Sequence, residues 1–124
     1  MRQVLALSAA AGVIAMAGSA LAHHGWSWAE ADQIELTGTI RSLSFAPPHP
    51  TLQLATADGE WRIELGNPNQ TQRSGFVEGV AKAGDEVTVL GNRSLDPEEK
   101  RLKAVRVTLA DKNYDIYPTR IQTN

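Results

Sequence analysis

Three histidines carry most of the chemistry available to this 124-residue chain: the adjacent pair His23 and His24, and the isolated His49. The pair follows Ala20-Leu21-Ala22, which offers small residues at the two positions a signal peptidase inspects. Cleavage after Ala22 makes His23 the first residue of the mature chain, with a free α-amine beside its imidazole. Those two nitrogens can chelate one metal ion, His24 adds an imidazole and a backbone amide, and His49 offers a third ring from a distance. A nitrogen-rich, tetragonal donor set of this kind suits Cu(II), which tops the divalent affinity order. An α-amine with a reference pKa of about 7.7–8.0 and an imidazole near 6.5 lose their protons around neutral pH, so binding weakens as pH falls.

His49 sits in Ala46-Pro47-Pro48-His49-Pro50. The residue before a proline is pushed into extended conformations, so Pro50 restricts His49 from one side and Pro48 from the other. The competing reading leaves all three histidines solvated, with His49 bonded to a loop carbonyl. A terminal histidine with a distant second one is similar to the copper brace of oxidative polysaccharide enzymes. Nothing else in the chain matches those enzymes, and their activity is not carried over.

Other catalytic constellations in the sequence are poor. There is no cysteine, which removes thiolate zinc sites, a thiol nucleophile and any disulfide. Glu60, Arg62 and Glu64 alternate on one strand face and read as a solvated outer surface, not as carboxylates converging on a substrate. Ser27, Ser42, Ser44 and Ser74 lack a nucleophile-elbow context, and the glycines form no phosphate loop. The chain is therefore read as a binding module and not an enzyme. A metal-free alternative places a small ligand or glycan on a rim of Phe45, Pro48, Trp61 and Arg62, with Arg41, Arg62 and Arg73 available to an anion. On that alternative's competing reading, Phe45 and Trp61 are core residues. A third possibility is an accessory protein that docks on a periplasmic partner through an edge strand.

The elements that must position these groups follow from the hydrophobic pattern. Arg2, the uncharged apolar run from Val4 to Ala17 and the Ala-x-Ala site give a signal peptide over residues 1–22, too short to span a bilayer comfortably. The alternatives are a retained anchor, or cleavage after Ala20. Removing 22 residues leaves 102, enough for one small domain, in which 11 basic residues face 14 acidic ones for a formal charge of −3. That balance, together with export, argues against nucleic-acid binding. No second apolar run follows, so no membrane contact is expected after cleavage.

Residues 23–32 read as a leader, in which Trp26 and Trp28 either pack or bind. From Gln33, Ile34, Leu36, Gly38 and Ile40 alternate; the phase then slips to Leu43 and Phe45, which predicts a bulge or bend within one long strand. Thr51–Ala57 and Glu60–Gly66 give two strands joined at Asp58-Gly59. Asn67-Pro68 starts a helix running to about Val80, interrupted near Gly75 and Gly79. Strands follow with Val87 and Val89 inward, then Val105, Val107 and Leu109 inward, and a short last strand near Tyr114 and Ile116. Three strands, a helix and two or three strands, with a long bent first strand, predict an all-β fold: a small OB-like Greek-key barrel of five to six strands. A plain antiparallel sandwich is the competitor. In an OB barrel the loop holding His49 borders the usual ligand face.

The blocks "HHGW", "LTGTI", "PPHP", "WRIELGNP", "RSG", "KAGDEVTVLG" and "LKAVRVTL", in that order, resemble a family of small exported bacterial proteins, the domain of unknown function 6152. The family's Asn-Pro-His reads Pro47-Pro48-His49 here, so that amide is absent. The resemblance implies a signal peptide, a His-His pair and an OB-like barrel, and no activity. The expected layout is thus a signal peptide at 1–22, a leader at 23–32, a barrel domain at 33–118 and a tail at 119–124. The chain is expected to be periplasmic or secreted, with copper as its candidate ligand.

Overall fold

A computed structural model describes residues 25–122; His23, His24 and the signal-like segment lie outside the described residues. Six strands form one sheet: β1 (Ala29–Ser44), β2 (Thr51–Thr56), β3 (Gly59–Glu64), β4 (Glu86–Ser94), β5 (Arg101–Leu109) and β6 (Lys112–Asp115). A short helix α1 (Pro68–Arg73) lies between β3 and β4. The order is β3-β2-β1-β4-β5-β6, and a further parallel pairing of β3 with β5 closes the first five strands into a ring. This is the all-β, OB-like barrel that the element order predicts.

The long first strand makes closure possible. Its first part pairs with β4 through Thr39↔Glu86, and its second part pairs with β2 from Thr39↔Ala55 onward. The phase slip in the sequence is a bulge: Ile40 pairs with Leu54 and Ser42 with Gln53, leaving Arg41 as the extra residue. Gly38 is needed for contact. A Cβ there would run into the Ala55 carbonyl oxygen, so only a bare backbone lets β2 approach β1 where it changes partners.

Several boundaries differ from expectation. β1 starts at Ala29, not Gln33, because Ala29 pairs with Ser94 ahead of an irregular step to Gln33↔Asn92. α1 stops at Arg73. Asn67 and Gln70 form a reciprocal capping box at its start, but Gly75 at φ +91° turns the chain left-handed just after the Ser74 cap. In β5 the inward residues are Leu102, Ala104 and Val107. Val105 is the extra residue of a bulge between Leu90↔Arg106 and Gly91↔Ala104, so it leaves the main core cluster, although it is fully buried.

The core runs along the barrel axis through Ile40, Leu52, Leu54, Trp61, Ile63, Leu65, Val87, Val89 and Leu102. At the helix end Phe76 fills the opening. It stacks on Phe45 at 6.1 Å and meets Tyr114 edge-on at 5.6 Å. At the other end Trp61 hydrogen-bonds Asp58 through its indole N–H, with Arg93 over its ring. Residues beyond β6, expected as a tail, are tied back to β1: Gln33 and Gln122 exchange backbone-to-side-chain hydrogen bonds, and Gln33 Nε2 donates to the Arg120 carbonyl.

Candidate functional site

The site builds up from the seam where β3 meets β5. Trp61 and Ile63 point inward, so Arg62 and Glu64 face out; the parallel register sets Arg62 beside Arg101 and Glu64 beside Lys103. The result is a row of three cations around one carboxylate. Arg101 Nε donates to Glu64 Oε2 at 2.6 Å, and Arg62 Nε reaches the same oxygen at 3.4 Å. Glu64 and Lys103 are buried despite facing away from the barrel interior, with Lys103 only 2% exposed.

The leader supplies the cover. The half-buried Trp28 ring lies 3.6 Å from the Arg101 guanidinium. Trp26, also half-buried, sits 4.0 Å from Arg120 and 5.4 Å from Lys103 Nζ, and meets Tyr117 edge-on at 5.0 Å. Cations over aromatic faces contribute roughly 0.5–1 kcal/mol each when exposed and about 2 when desolvated. Trp26 and Trp28 therefore pack, as one of their two readings has it, but on the outside of the barrel.

The charges respond to this burial. For Glu64, burial pushes the carboxyl up, but the Arg101 hydrogen bond and the charges of Arg101, Arg62 and Lys103 together hold it below the ordinary carboxylate range. Burial pulls the Lys103 ammonium down, Glu64 opposes that shift, and Arg101 and Arg120 add to it. Burial raises the Tyr117 phenol, with Arg120 opposing.

His49 lies on the other side of β3. Thr51 pairs with Glu64, and the Pro50 carbonyl accepts from Leu65 N–H, which carries the β2–β3 register toward His49 and Gly66. His49 is half-buried, and its Nδ1 is a buried polar atom with no hydrogen-bond partner among the described residues. Buried polar atoms are nearly always partnered, so this nitrogen stands out. Among the described residues no group of three His, Asp or Glu side chains is gathered as a metal site.

The other expected rim residues separate. Phe45 and Pro50 line an open groove of about 340 Å³ together with Pro68, Thr71, Phe76 and Val77. Pro48 is exposed in the loop. Trp61 is 2% exposed and belongs to the core, the packing reading of its strand alternation, so its ring offers no face to a ligand. Arg62 is spent on Glu64, and of Arg41, Arg62 and Arg73 it alone joins an ion pair among the described residues. The seam cluster of Arg101, Lys103, Tyr117 and Arg120 was not legible in the sequence. Its members come from the fifth strand and the chain's last turn, and no local pattern links them to Trp26 or Glu64.

Among the described residues no helix is long and apolar enough to cross a membrane. The chain matches a family of unknown function (DUF6152) over residues 10–103 and belongs to it. No curated protein matches the chain. Among solved structures it is similar to a complex of TiaS with tRNA and ATP, with a TM-score of 0.50 and 15% identity over 62% of this chain and 18% of that one. It is also similar to the ZRD-deleted mutant of TiaS in complex with agmatine, with a TM-score of 0.54 and 14% identity over 73% of this chain and 27% of that one. The likeness thus spans between 18% and 27% of those chains, and at such identity it concerns the fold alone.

Proposed function

We propose that this member of a family of unknown function is an exported, non-enzymatic module that binds Cu(II) through the processed N-terminus and His49. The α-amine and imidazole of His23 chelate the ion, and His24 and His49 complete the set. The observation that supports this reading is the buried Nδ1 of His49, which has no partner among the described residues and is held in a loop between prolines. A neutral imidazole nitrogen without a protein partner is the form in which histidine ligates metals. The tRNA and ATP of the neighbouring structure are not carried over, since the chain is acidic overall and covers a small part of that protein.

Mass spectrometry of the exported protein tests the processing: a mature chain starting at His23 is expected. Titration with copper sulfate is then expected to show 1:1 binding that weakens at least tenfold in His49→Ala and weakens below about pH 6.5. A chain starting at Leu21, or His49→Ala binding copper as wild type does, overturns the proposal.

The groove between Phe45, Pro50 and Phe76 favours a second reading, a module for a small apolar ligand. An environment-sensitive apolar dye that binds the metal-free protein and is released by Phe45→Ala would support it; absence of dye binding would remove it.

A further inference from the structure

β1 changes partners at Thr39, and the change leaves part of its other edge unpaired. The direction of its backbone groups is fixed at both ends of the pairing with β4. Ile40 N–H donates to the Asp85 carbonyl and the Ile40 carbonyl accepts from Gly84 N–H, so Ile40 faces the β4 side. Gln33 N–H donates instead to the side chain of Gln122, away from β4. The register runs unbroken from Gln33↔Asn92 to Thr39↔Glu86, and backbone groups alternate in direction along a strand. Glu35 and Thr37 therefore turn their N–H and C=O groups away from β4, as Gln33 and Thr39 do.

At Thr39 that side is taken by Ala55 of β2. At Gln33 the Gln122 side chain stands in for a strand: its Oε1 accepts from Gln33 N–H, and its Nε2 donates to the Ala31 carbonyl. These two stops lie about 20 Å apart along β1. Between them, the backbones of Glu35 and Thr37 have no partner on that side among the described residues.

Exposed edges are usually guarded by lysine, proline or a bulge. From Gln33 to Thr39 there is no proline, no basic residue and no break in the β4 register. The side chains around the opening are acidic instead. Glu30, Asp32 and Glu35 are exposed, and none joins an ion pair among the described residues. Arg106, in the row of Glu35 and Leu90, is already held by Asp115 at 2.6 and 3.2 Å. Ile34 and Leu36 point to the opposite face, where they are only partly buried against the core. A strand laid along this edge thus meets carboxylate on one face and aliphatic flank on the other. A second copy of the chain would bring the same three acids to the edge, and like charges facing across a strand pair are destabilising.

We propose that the Glu35–Thr37 edge of β1 receives an extended segment of a partner protein in which basic and apolar residues alternate, added to the sheet as a strand. Its backbone pairs with Glu35 and Thr37, its basic side chains meet Glu35, and its apolar ones cover Ile34 and Leu36. The inference does not draw on the copper reading.

The test uses the metal-free mature protein and two capped synthetic peptides, one alternating lysine with valine and the other glutamate with valine. In the free protein, the Glu35 and Thr37 amides should exchange with solvent about tenfold or more faster than those of Ile34 and Leu36. The lysine peptide should shift and slow both amides, and the glutamate peptide should do neither. Thr37→Pro removes an N–H that β4 does not use, so it should abolish the response at Glu35 while amide dispersion in β4 and β5 stays native. Glu35→Gln leaves the backbone untouched and should weaken lysine-peptide binding about threefold. Glu35 and Thr37 amides already protected in the free protein overturn the open edge; protection that grows with protein concentration gives the edge to a second copy and overturns the proposed partner. Equal responses to the two peptides, lysine-peptide affinity unchanged in Glu35→Gln, or shifts confined to other strands also overturn it.

Discussion

Replacing Glu64 with Gln probes the seam directly. The substitution keeps size and one acceptor oxygen but removes the carboxylate that Arg62, Arg101 and Lys103 share, leaving Arg101 only its longer contact with Glu99 at 3.9 Å. Hydrogen bonds to charged groups contribute roughly 1.5–3 kcal/mol, and breaking a fully buried pair costs about 3–5 kcal/mol. Arg101 is 27% exposed at its side chain, so water screens part of the loss, and a cost of about 2 kcal/mol is expected. For a domain of this size that lowers Tm by roughly 8–16 °C.

The pH dependence has a definite sign. The Glu64 carboxyl is held below its ordinary value of 4.5, so its contribution is fully present above that pH and is lost as pH falls through the lower folded value. Scanning calorimetry should therefore show a gap between wild type and Glu64→Gln that is full at pH 7 and closes in the acid range below 4.5. A second substitution, Lys103→Met, should recover part of the loss at pH 7 by removing the stranded buried ammonium. Equal Tm values at pH 7, or a gap undiminished at pH 3, would refute this account of the seam.

Two further substitutions test the barrel. Gly38→Ala drives a methyl group into the Ala55 carbonyl, so β1 and β2 must separate; a loss above about 3 kcal/mol in urea titration is expected, with amide protection falling first at Leu54 and Ala55. Asn67→Ala removes the side-chain acceptor for Gln70 N–H and should cost about 1 kcal/mol by the same titration, with the sheet unchanged by circular dichroism.

Much of the fold is written locally. Alternation of Leu52 and Leu54, and of Trp61 and Ile63, marks strands because side chains two apart share a face, and the structure buries all four. The slip after Ile40 marked the bulge for the same reason: one extra residue reverses which side is buried. Val105 escaped this logic. A bulge shifts phase without leaving a polar residue to announce it, so Val105 and Val107 looked equivalent. The helix end also escaped, because Gly75 ends α1 by adopting a left-handed backbone that glycine permits but does not require.

Sequence alone thus determined that the strands exist, the inward faces of β2 and β3 and the helix start, together with the restraint that prolines place on His49, since each depends on neighbours a few residues apart. Lys103 became a buried cation only because closure of β3 on β5 set it beside Glu64, and because Trp26, Tyr117 and Arg120 arrived from opposite ends of the chain to cover it. Such contacts depend on strand register and ring closure. No run of local residues encodes them, and folding the whole barrel brings them about at once.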